Sequence, residues 1–440
     1  MNAETPPHAA TPDQPPGPVT AGERFEALDT LRGVAVLGIL IMNIYAFAMP
    51  FSAYMNPLLM GGTEWYNLGT WFATHVLADQ KFMTIFSMMF GAGAVLMWER
   101  AEARGAKFGR IYYRRMFWLL VIGLLHAYFV WFGDILVFYA VIGMLVYPAR
   151  KWRPRTLIVL ACLLLPVGML MNHGAYYYVS QLRAEVTSIR ALQEEGATLS
   201  EDQQATLEEW DEMGSFLAPT AADVQKDLDV YLGDYAGILA DRIPKAAGMQ
   251  VNGIIFFGIW RIGGLMLLGM AFLKLGILSG RAADSTYRRL MLFGYGLGLP
   301  LTLFSAYNLH AHGFDGVYVL RVGGIPNYIG SVLVALGHIG LVMHLVRRGL
   351  FAGLMERFSA VGRMAFTNYL MHSLVLTTIF YGYGLGLYGE IPRAAQMLFV
   401  AGMLGLQLTL SPWWLARYRF GPAEWLWRSL TYWQRQRFRT

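Results

Sequence analysis

The sequence predicts an all-α fold: a polytopic transmembrane helix bundle of about ten spans, with both termini in the cytoplasm. The 440 residues are 56% hydrophobic and 15% charged, whereas soluble globular chains carry about 25% charged residues. The apolar residues come in runs of roughly 17–25, long enough to cross a ~30 Å hydrocarbon layer. Lysine and arginine gather in short loops instead of on one basic face, which indicates membrane orientation and not nucleic-acid binding.

The elements follow from these runs. Residues 1–23 are rich in Pro, Ala and Thr and lack a basic segment before an apolar core, so we predict a disordered tail and no cleavable signal. The first span covers residues 31–49. Residues 65–98, interrupted by Asp79-Gln80-Lys81, form either one bent helix or a surface helix followed by a span. The remaining predicted spans are residues 116–131, 135–147, 157–171, 251–273, 290–307, 328–345, 358–381 and 394–410.

Charge placement predicts the orientation. Basic clusters follow the second, fourth, sixth and eighth spans and fill the C-terminal tail. All of them fall on the cytoplasmic side if the N-terminus is cytoplasmic. The segment 172–246 falls on the other side and holds 14 acidic and 5 basic residues. Ser200-x-x-Gln203 and Thr220-x-x-Asp223 are capping-box patterns, so we expect a small helical extracytoplasmic insert, either a lid over a cavity or a solvated connector.

Two spans carry polar residues at matching depth. Asn43 follows Arg32 by 11 residues, and His126 follows Arg115 by the same distance. Eleven residues return to the same helix face within ~20°, about 16 Å along the axis. A histidine can act as a general base and an amide can stabilise an oxyanion, so His126 and Asn43 are candidate catalytic residues. The alternatives are a hydrogen-bonded core histidine and a helix-packing asparagine.

Two aspartates and Arg32 lie at span ends. Asp134 is eight residues beyond His126, too far for direct contact along a straight helix. It either orients a group on another helix, as a third candidate catalytic residue, or caps the next helix. Asp29 is a candidate N-terminal cap or substrate-binding residue. Arg32 is placed to meet a phosphate or to reach lipid headgroups.

Further ionisable groups inside spans are candidate substrate-binding residues, because lipid penalises them. Arg261 lies in the middle of a span and needs a partner or an anionic ligand. Asn368 and His372 are four residues apart and share a helix face. His75 and Asp79 form a second such pair, either a base with its orienting group or a hydrogen bond at the membrane edge. With one cysteine and no metal-ligand pattern, we expect no internal disulfide and no metal.

Several stretches, taken in order, resemble the YeiB-like membrane proteins that carry a C-terminal domain of unknown function numbered 418. They are residues 24–43, 81–93, 123–136, 361–370, 381–389 and 421–431. The N-terminal half also resembles transmembrane acyltransferases, including heparan-α-glucosaminide N-acetyltransferases and the acyltransferase-3 group. In those proteins an Arg-Gly pair opens the first helix and a polar residue follows about three turns later, here Asn43. The glucosaminide enzymes place a histidine soon afterwards, where this chain has Tyr54, so His126 or His75 would take that role.

The resemblance implies transfer of an acyl group from cytoplasmic acyl-CoA to an acceptor on the far side, a glycan or a lipid, in a bacterial inner membrane. Arg32 would then hold the CoA phosphates. The alternatives are a transporter that binds its solute at Arg261, Asn368 and His372, and a non-enzymatic component of a membrane complex. The predicted domains are the tail 1–23, an N-terminal bundle 24–171, the insert 172–246 and a C-terminal membrane domain 247–440.

Overall fold

The computed structural model describes residues 26–106 and 108–439, so the predicted tail 1–23 lies outside the described residues. The first half contains α1 Glu26–Ala48, α2 Phe51–Met55, α3 Trp65–Leu77, α4 Lys81–Ala103, α5 Gly109–Phe129, α6 Leu136–Val146, α7 Pro154–Glu194, α8 Glu201–Leu217 and α9 Ala221–Tyr231. The second half contains α10 Tyr235–Gly253, α11 Gly263–Lys274, α12 Asp284–Ala311, α13 Gly316–Tyr318, α14 Ile325–Arg347, α15 Ala352–Arg363, α16 Ala365–Phe380, α17 Arg393–Leu415 and α18 Pro422–Tyr432. A π-helical segment, Ile254–Ile262, joins α10 to α11.

The all-α membrane fold is confirmed. Seven helices or helix pairs of the described chain are long and apolar enough to cross a membrane: Glu26–Ala48, Trp65–Ala103, Pro154–Glu194, Tyr235–Lys274, Asp284–Ala311, Ile325–Arg347 and Arg393–Leu415. The three other predicted spans coincide with α5 of 21 residues, α6 of 11 residues and, in part, α16 of 16 residues. The chain is therefore a multi-pass helical bundle, and the total of about ten spans stays a prediction.

Of the two alternatives for the stretch 65–98, the structure has two helices, because Gln80 adopts a left-handed conformation with φ 62° between α3 and α4. Two predicted boundaries are wrong. The predicted span 358–381 is broken at Met364 into α15 and α16. Helix α7 continues 23 residues past the predicted end at 171 and stops at Glu194. Its extension buries Val179, Leu182, Val186 and Ile189, whose helical spacing gives it an apolar face.

Helix α1 lies in the middle of the bundle and packs against α4, α14, α15, α16 and α17. Its closest neighbour is α15, because two glycines let the backbones touch. A Cβ on Gly33 would lie 1.9 Å from the Phe358 carbonyl oxygen, and one on Gly362 would lie 1.8 Å from the Asp29 carbonyl oxygen. The glycine of the Arg32-Gly33 pair therefore serves a close helix crossing.

The acidic insert is helical, as predicted. Ser200 and Gln203 exchange hydrogen bonds of 2.9 and 3.2 Å at the start of α8, and Thr220 and Asp223 form a capping box at the start of α9. Helices α8 and α9 lie against α2, which follows the C-terminal end of α1. The insert therefore covers the end of the bundle opposite Arg32. We call these two ends the insert end and the basic end.

Candidate functional site

A cavity of about 250 Å³ opens at the basic end between α1, α4, α5, α6, α16 and α18. Its polar lining is dominated by six arginines and includes two carboxylates, Asp29 and Glu424. The arginines are Arg32, Arg100, Arg115, Arg363, Arg419 and Arg428. The rest of the wall is largely apolar and aromatic, including Phe86, Met89, Phe90, Leu119, Leu136 and Phe366. A pocket with this lining suits a ligand that has an anionic head and an apolar tail.

Two of the predicted substrate-binding residues lie together in this cavity. Arg32 Nη1 donates to Asp29 Oδ1 at 2.8 Å, and both side chains are partly exposed to the cavity. The interpretation of Asp29 as an N-terminal cap is wrong, because α1 already includes Glu26 and Asp29 lies inside its first turn. Asp29 instead fixes the orientation of the Arg32 guanidinium.

Helix α18 closes the cavity and is held by two reciprocal caps. The Glu424 carboxylate accepts hydrogen bonds from the backbone N–H groups of Phe366 (2.7 Å) and Thr367 (3.1 Å) at the start of α16. The Thr367 hydroxyl donates to Glu424 at 2.5 Å and accepts from the Ala423 N–H at 3.1 Å. We call this arrangement the α16–α18 clasp. No local sequence pattern indicates the clasp, although Thr367 and Glu424 lie in the stretches that carry the family resemblance.

The candidate base is part of a buried pair. His126 Nδ1 and Asp134 Oδ1 are 2.8 Å apart, and both side chains are almost fully buried. The prediction that Asp134 lies too far from His126 is wrong, because α5 ends at Phe129 and the chain turns back before α6. Asp134 Oδ2 also accepts from the Val137 N–H at 2.9 Å, so the same carboxylate caps α6. An ionised carboxylate only accepts, so Nδ1 donates to Asp134, and in the neutral imidazole the lone pair is then on Nε2.

Tyr369 separates this pair from the cavity. Its side chain lines the cavity, and its ring centroid lies 5.5 Å from that of His126. Its hydroxyl accepts a hydrogen bond from the Ile135 N–H at 3.2 Å, next to Asp134. His126 therefore sits directly behind the aromatic wall at the inner end of the cavity, and it is not itself a lining residue.

Asn43 is half-buried, and its side-chain amide makes no hydrogen bond with the described part of the chain. Like His126, it does not line the cavity at the basic end. Phe47 lies one turn after Asn43, and Trp131 lies five residues after His126. The Phe47 and Trp131 rings stack with their centroids 4.1 Å apart. This contact gives Asn43 and His126 similar depth in the bundle.

Arg261 has protein partners. Its side chain is fully buried in the π-helical segment and donates to the Tyr328 carbonyl at 3.0 Å and to Ser331 Oγ at 2.7 Å. Its guanidinium also lies 4.2 Å from the Tyr328 ring centroid. Neighbouring helices therefore accommodate Arg261 without an anionic ligand.

Asn368 and His372 share a buried face of α16, as predicted, and both bond to α17. The Asn368 amide donates to Ser411 Oγ at 3.1 Å, and His372 Nε2 is 2.9 Å from Gln407 Oε1. Gln407 in turn donates to the Asn368 carbonyl at 3.0 Å. These bonds join two helices through a continuous polar chain, which is a structural role.

His75 and Asp79 lie at the junction of α3 and α4, with Nδ1 and Oδ2 3.4 Å apart. Asp79 accepts a stronger hydrogen bond from Asn327 at 2.7 Å, and Asn327 accepts from Lys81 at 2.9 Å. This network ties the junction to α14. Within residues 26–106 and 108–439, no group of three or more His, Cys, Asp or Glu side chains is placed to hold a metal ion.

Comparison with known proteins gives two family matches. Residues 272–434 match the family described as "Protein of unknown function (DUF418)". Residues 24–190 match the family described as "Heparan-alpha-glucosaminide N-acetyltransferase, catalytic". The first match covers Thr367 and Glu424, and the second covers Arg32, Asn43, His126 and Asp134.

Curated relatives match over nearly the full length. The chain is 32% identical to "Uncharacterized protein YxaH" of Bacillus subtilis, over 95% of this chain and 97% of the relative. It is 29% identical to "Uncharacterized protein YeiB" of Escherichia coli, over 93% of this chain and 96% of the relative. No solved structure is significantly similar to the chain.

Proposed function

The chain belongs to the YeiB-like family of membrane proteins with the domain of unknown function 418, and from this premise we propose that it is an acyl-CoA-dependent acyltransferase. The acyl group would pass from a cytoplasmic donor to an acceptor in or beyond a bacterial cytoplasmic (inner) membrane. The observation that carries the proposal is the arginine-lined cavity whose inner end stops at Tyr369, next to His126. The similarity of residues 24–190 to the catalytic region of a membrane acetyltransferase supports it.

The cavity fits the two halves of an acyl-CoA. Its six arginines outnumber its two carboxylates by four, so it attracts the phosphates of CoA. Arg32 is pre-oriented by Asp29 to bind one of them. The apolar inner wall suits the pantetheine arm and the acyl chain, which would place the thioester near Tyr369.

In the proposed reaction, His126 Nε2 removes the proton from an acceptor hydroxyl or amine as that atom attacks the thioester carbonyl carbon. Asp134 holds the imidazole through Nδ1 and stabilises the imidazolium. The C–S bond then breaks, the new C–O or C–N bond remains, and the proton passes from His126 to the CoA thiolate. Asn43 would stabilise the tetrahedral oxyanion through its amide, which makes no hydrogen bond with the described chain.

His126 Nε2 supports this assignment. It is buried and has no hydrogen-bond partner among the described residues, whereas Nδ1 is engaged by Asp134. The arrangement leaves one nitrogen free to accept a proton.

The test is donor binding by the full chain in nanodiscs. Radiolabelled acetyl-CoA should bind, and Arg32→Gln should weaken its binding by about ten- to a hundredfold, because one charge-assisted phosphate contact is worth about 1.5–3 kcal/mol. Arg155→Gln is the matched control, since Arg155 is an exposed arginine near the start of α7 and does not line the cavity. Absence of binding at millimolar donor, or equal loss in both variants, would sink the proposal.

A further inference from the structure

A group of buried hydrogen-bond donors lies at the insert end and has no protein partner within the described chain. Buried donors are paired in the great majority of cases, so several orphans close together indicate a space for a polar ligand. The unpaired donors belong to Trp131, Tyr231, Arg242, Gln250 and Tyr381.

Arg242 is the most unusual member. Its side chain is 0% exposed, and Nε, Nη1 and Nη2 all lack a hydrogen-bond partner in the described chain. Lys245 contacts Asp227 at 2.8 Å and Asp241 at 2.9 Å, so one lysine pairs with two carboxylates. The remaining negative charge offsets that of Arg242, but none of the Arg242 nitrogens has a hydrogen-bond partner in the described chain. Arg261, by contrast, is equally buried, but its Nη1 and Nη2 donate to neighbouring groups and only Nε lacks a partner in the described chain.

Arg242 lies on α10, which packs against α5, the helix of the candidate base. Helix α10 turns one stripe of residues inward, at spacings of four, and this stripe contains Arg242 and Gln250. Two contacts place α10 against the end of α5. The Tyr235 hydroxyl donates to the Phe129 carbonyl at 2.8 Å, and the Tyr128 hydroxyl lies 3.5 Å from Gln250 Oε1. These two residues of α5 follow His126 within one turn.

Tyrosine rings form the wall on the other side of Arg242. The Tyr231 and Tyr381 rings are 5.0 Å apart, and both lie within electrostatic range of the Arg242 guanidinium and of the Asp227 and Asp241 carboxylates. Their hydroxyls are buried and unpaired. The available donors are a guanidinium with every nitrogen unpaired, two phenols and an amide. They outnumber the two oxygens of a carboxylate and match the oxygens of a phosphate group better.

We propose that Arg242 binds a phosphate group carried by the acyl acceptor, which presents a hydroxyl or amine to His126. Only the identification of the bound molecule as the acyl acceptor rests on the proposed function, because the phosphate site itself needs no acyl transfer. The donor would enter from the basic end and the phosphate-bearing acceptor from the insert end, and the two would meet at His126. The phosphate could belong to a membrane lipid or to a soluble ester.

The test measures thermal unfolding of the full chain, purified in neutral maltoside detergent. The probes are glycerol 3-phosphate, dioctanoyl phosphatidylglycerol and, as a phosphate-free control, dioctanoylglycerol. A phosphate probe should raise the unfolding midpoint in proportion to the logarithm of its concentration. A response to the phospholipid alone assigns a lipid acceptor, and a response to glycerol 3-phosphate assigns a soluble one.

The variants separate the two ends of the bundle. Arg242→Met should abolish the phosphate response, whereas Arg32→Gln should keep it and instead weaken acetyl-CoA binding. Failure of the donor assay alone would overturn the proposed function and leave this site standing. Loss of the phosphate response in Arg32→Gln, or its persistence in Arg242→Met, would assign the phosphate to the other cavity and overturn the inference.

Stability without ligand gives a second readout. Arg242→Met should unfold close to the wild-type temperature, because it removes no hydrogen bond within the described chain. Arg261→Met should unfold at a lower temperature, because it strands the Ser331 hydroxyl and the Tyr328 carbonyl. If Arg242→Met unfolds as early as Arg261→Met or fails to fold, Arg242 is a structural residue and the inference is wrong.

Discussion

Replacement of Glu424 by leucine tests whether the α16–α18 clasp holds the cavity together. The Glu424 carboxylate accepts two backbone N–H groups, at 2.7 and 3.1 Å, and the Thr367 hydroxyl at 2.5 Å. Loss of a helix cap costs about 0.5–2 kcal/mol, and each hydrogen bond to a charged group is worth about 1.5–3 kcal/mol. After subtraction of the cost of burying the carboxylate, we expect Glu424→Leu to lower the free energy of unfolding by about 3 kcal/mol.

The assay is reversible unfolding of the full chain in detergent, followed by tryptophan fluorescence and helical circular dichroism. Glu424→Gln keeps one acceptor oxygen for the α16 N–H groups and should lose only about 1 kcal/mol. Glu356→Leu is the control, because Glu356 is an exposed carboxylate on α15 and should change stability by less than about 0.5 kcal/mol. If Glu424→Leu matches the Glu356 control, the clasp does not stabilise the bundle and the reasoning is refuted.

Three further predictions concern Glu424, Asp134 and Gly33. Burial raises the pKa of Glu424 above its ordinary value of 4.5, so its stabilising contribution is greatest at low pH and declines as pH rises through the raised pKa. The stability difference between wild type and Glu424→Gln should therefore shrink or reverse from about pH 4 to about pH 8, and a constant difference would contradict it. Asp134→Asn should cut acyl transfer by about a hundredfold or more and leave acetyl-CoA binding unchanged, whereas unchanged turnover would exclude Asp134 as the orienting group. Gly33→Ala should destabilise the chain by about 1–3 kcal/mol in the unfolding assay, because its methyl group would meet the Phe358 carbonyl, and wild-type stability would show that α1 and α15 can separate freely.

Local patterns predicted much of the fold. The apolar runs located the long helices. The capping boxes at Ser200 and Thr220 start helices as predicted, because each box depends on two residues only three positions apart. The shared faces of Asn368 with His372 followed from helix periodicity. The polar run Asp79-Gln80-Lys81 marked the break at Gln80, whereas the break at Met364 lies in a continuous predicted span and was missed.

The site depended on contacts that no local pattern reports. Asp134 meets His126 because the chain reverses after Phe129, whereas a straight-helix argument kept them apart. Thr367 and Glu424 are 57 residues apart in the chain, and their contact appears only when α18 folds back against α16. Arg242 had no motif around it, and only the absence of hydrogen-bond partners in the described chain distinguishes it from Arg261.

The central claim is that His126 catalyses acyl transfer from a donor bound at the basic end. Sided reconstitution tests this claim most directly. Proteoliposomes would receive radiolabelled acetyl-CoA only on the side that exposes the basic end, with a cell-envelope lipid extract as acceptor. The account predicts His126-dependent release of free CoA and labelling of an acceptor, both lost in His126→Ala. Intact acetyl-CoA crossing the membrane, or equal CoA release by wild type and His126→Ala, would contradict it.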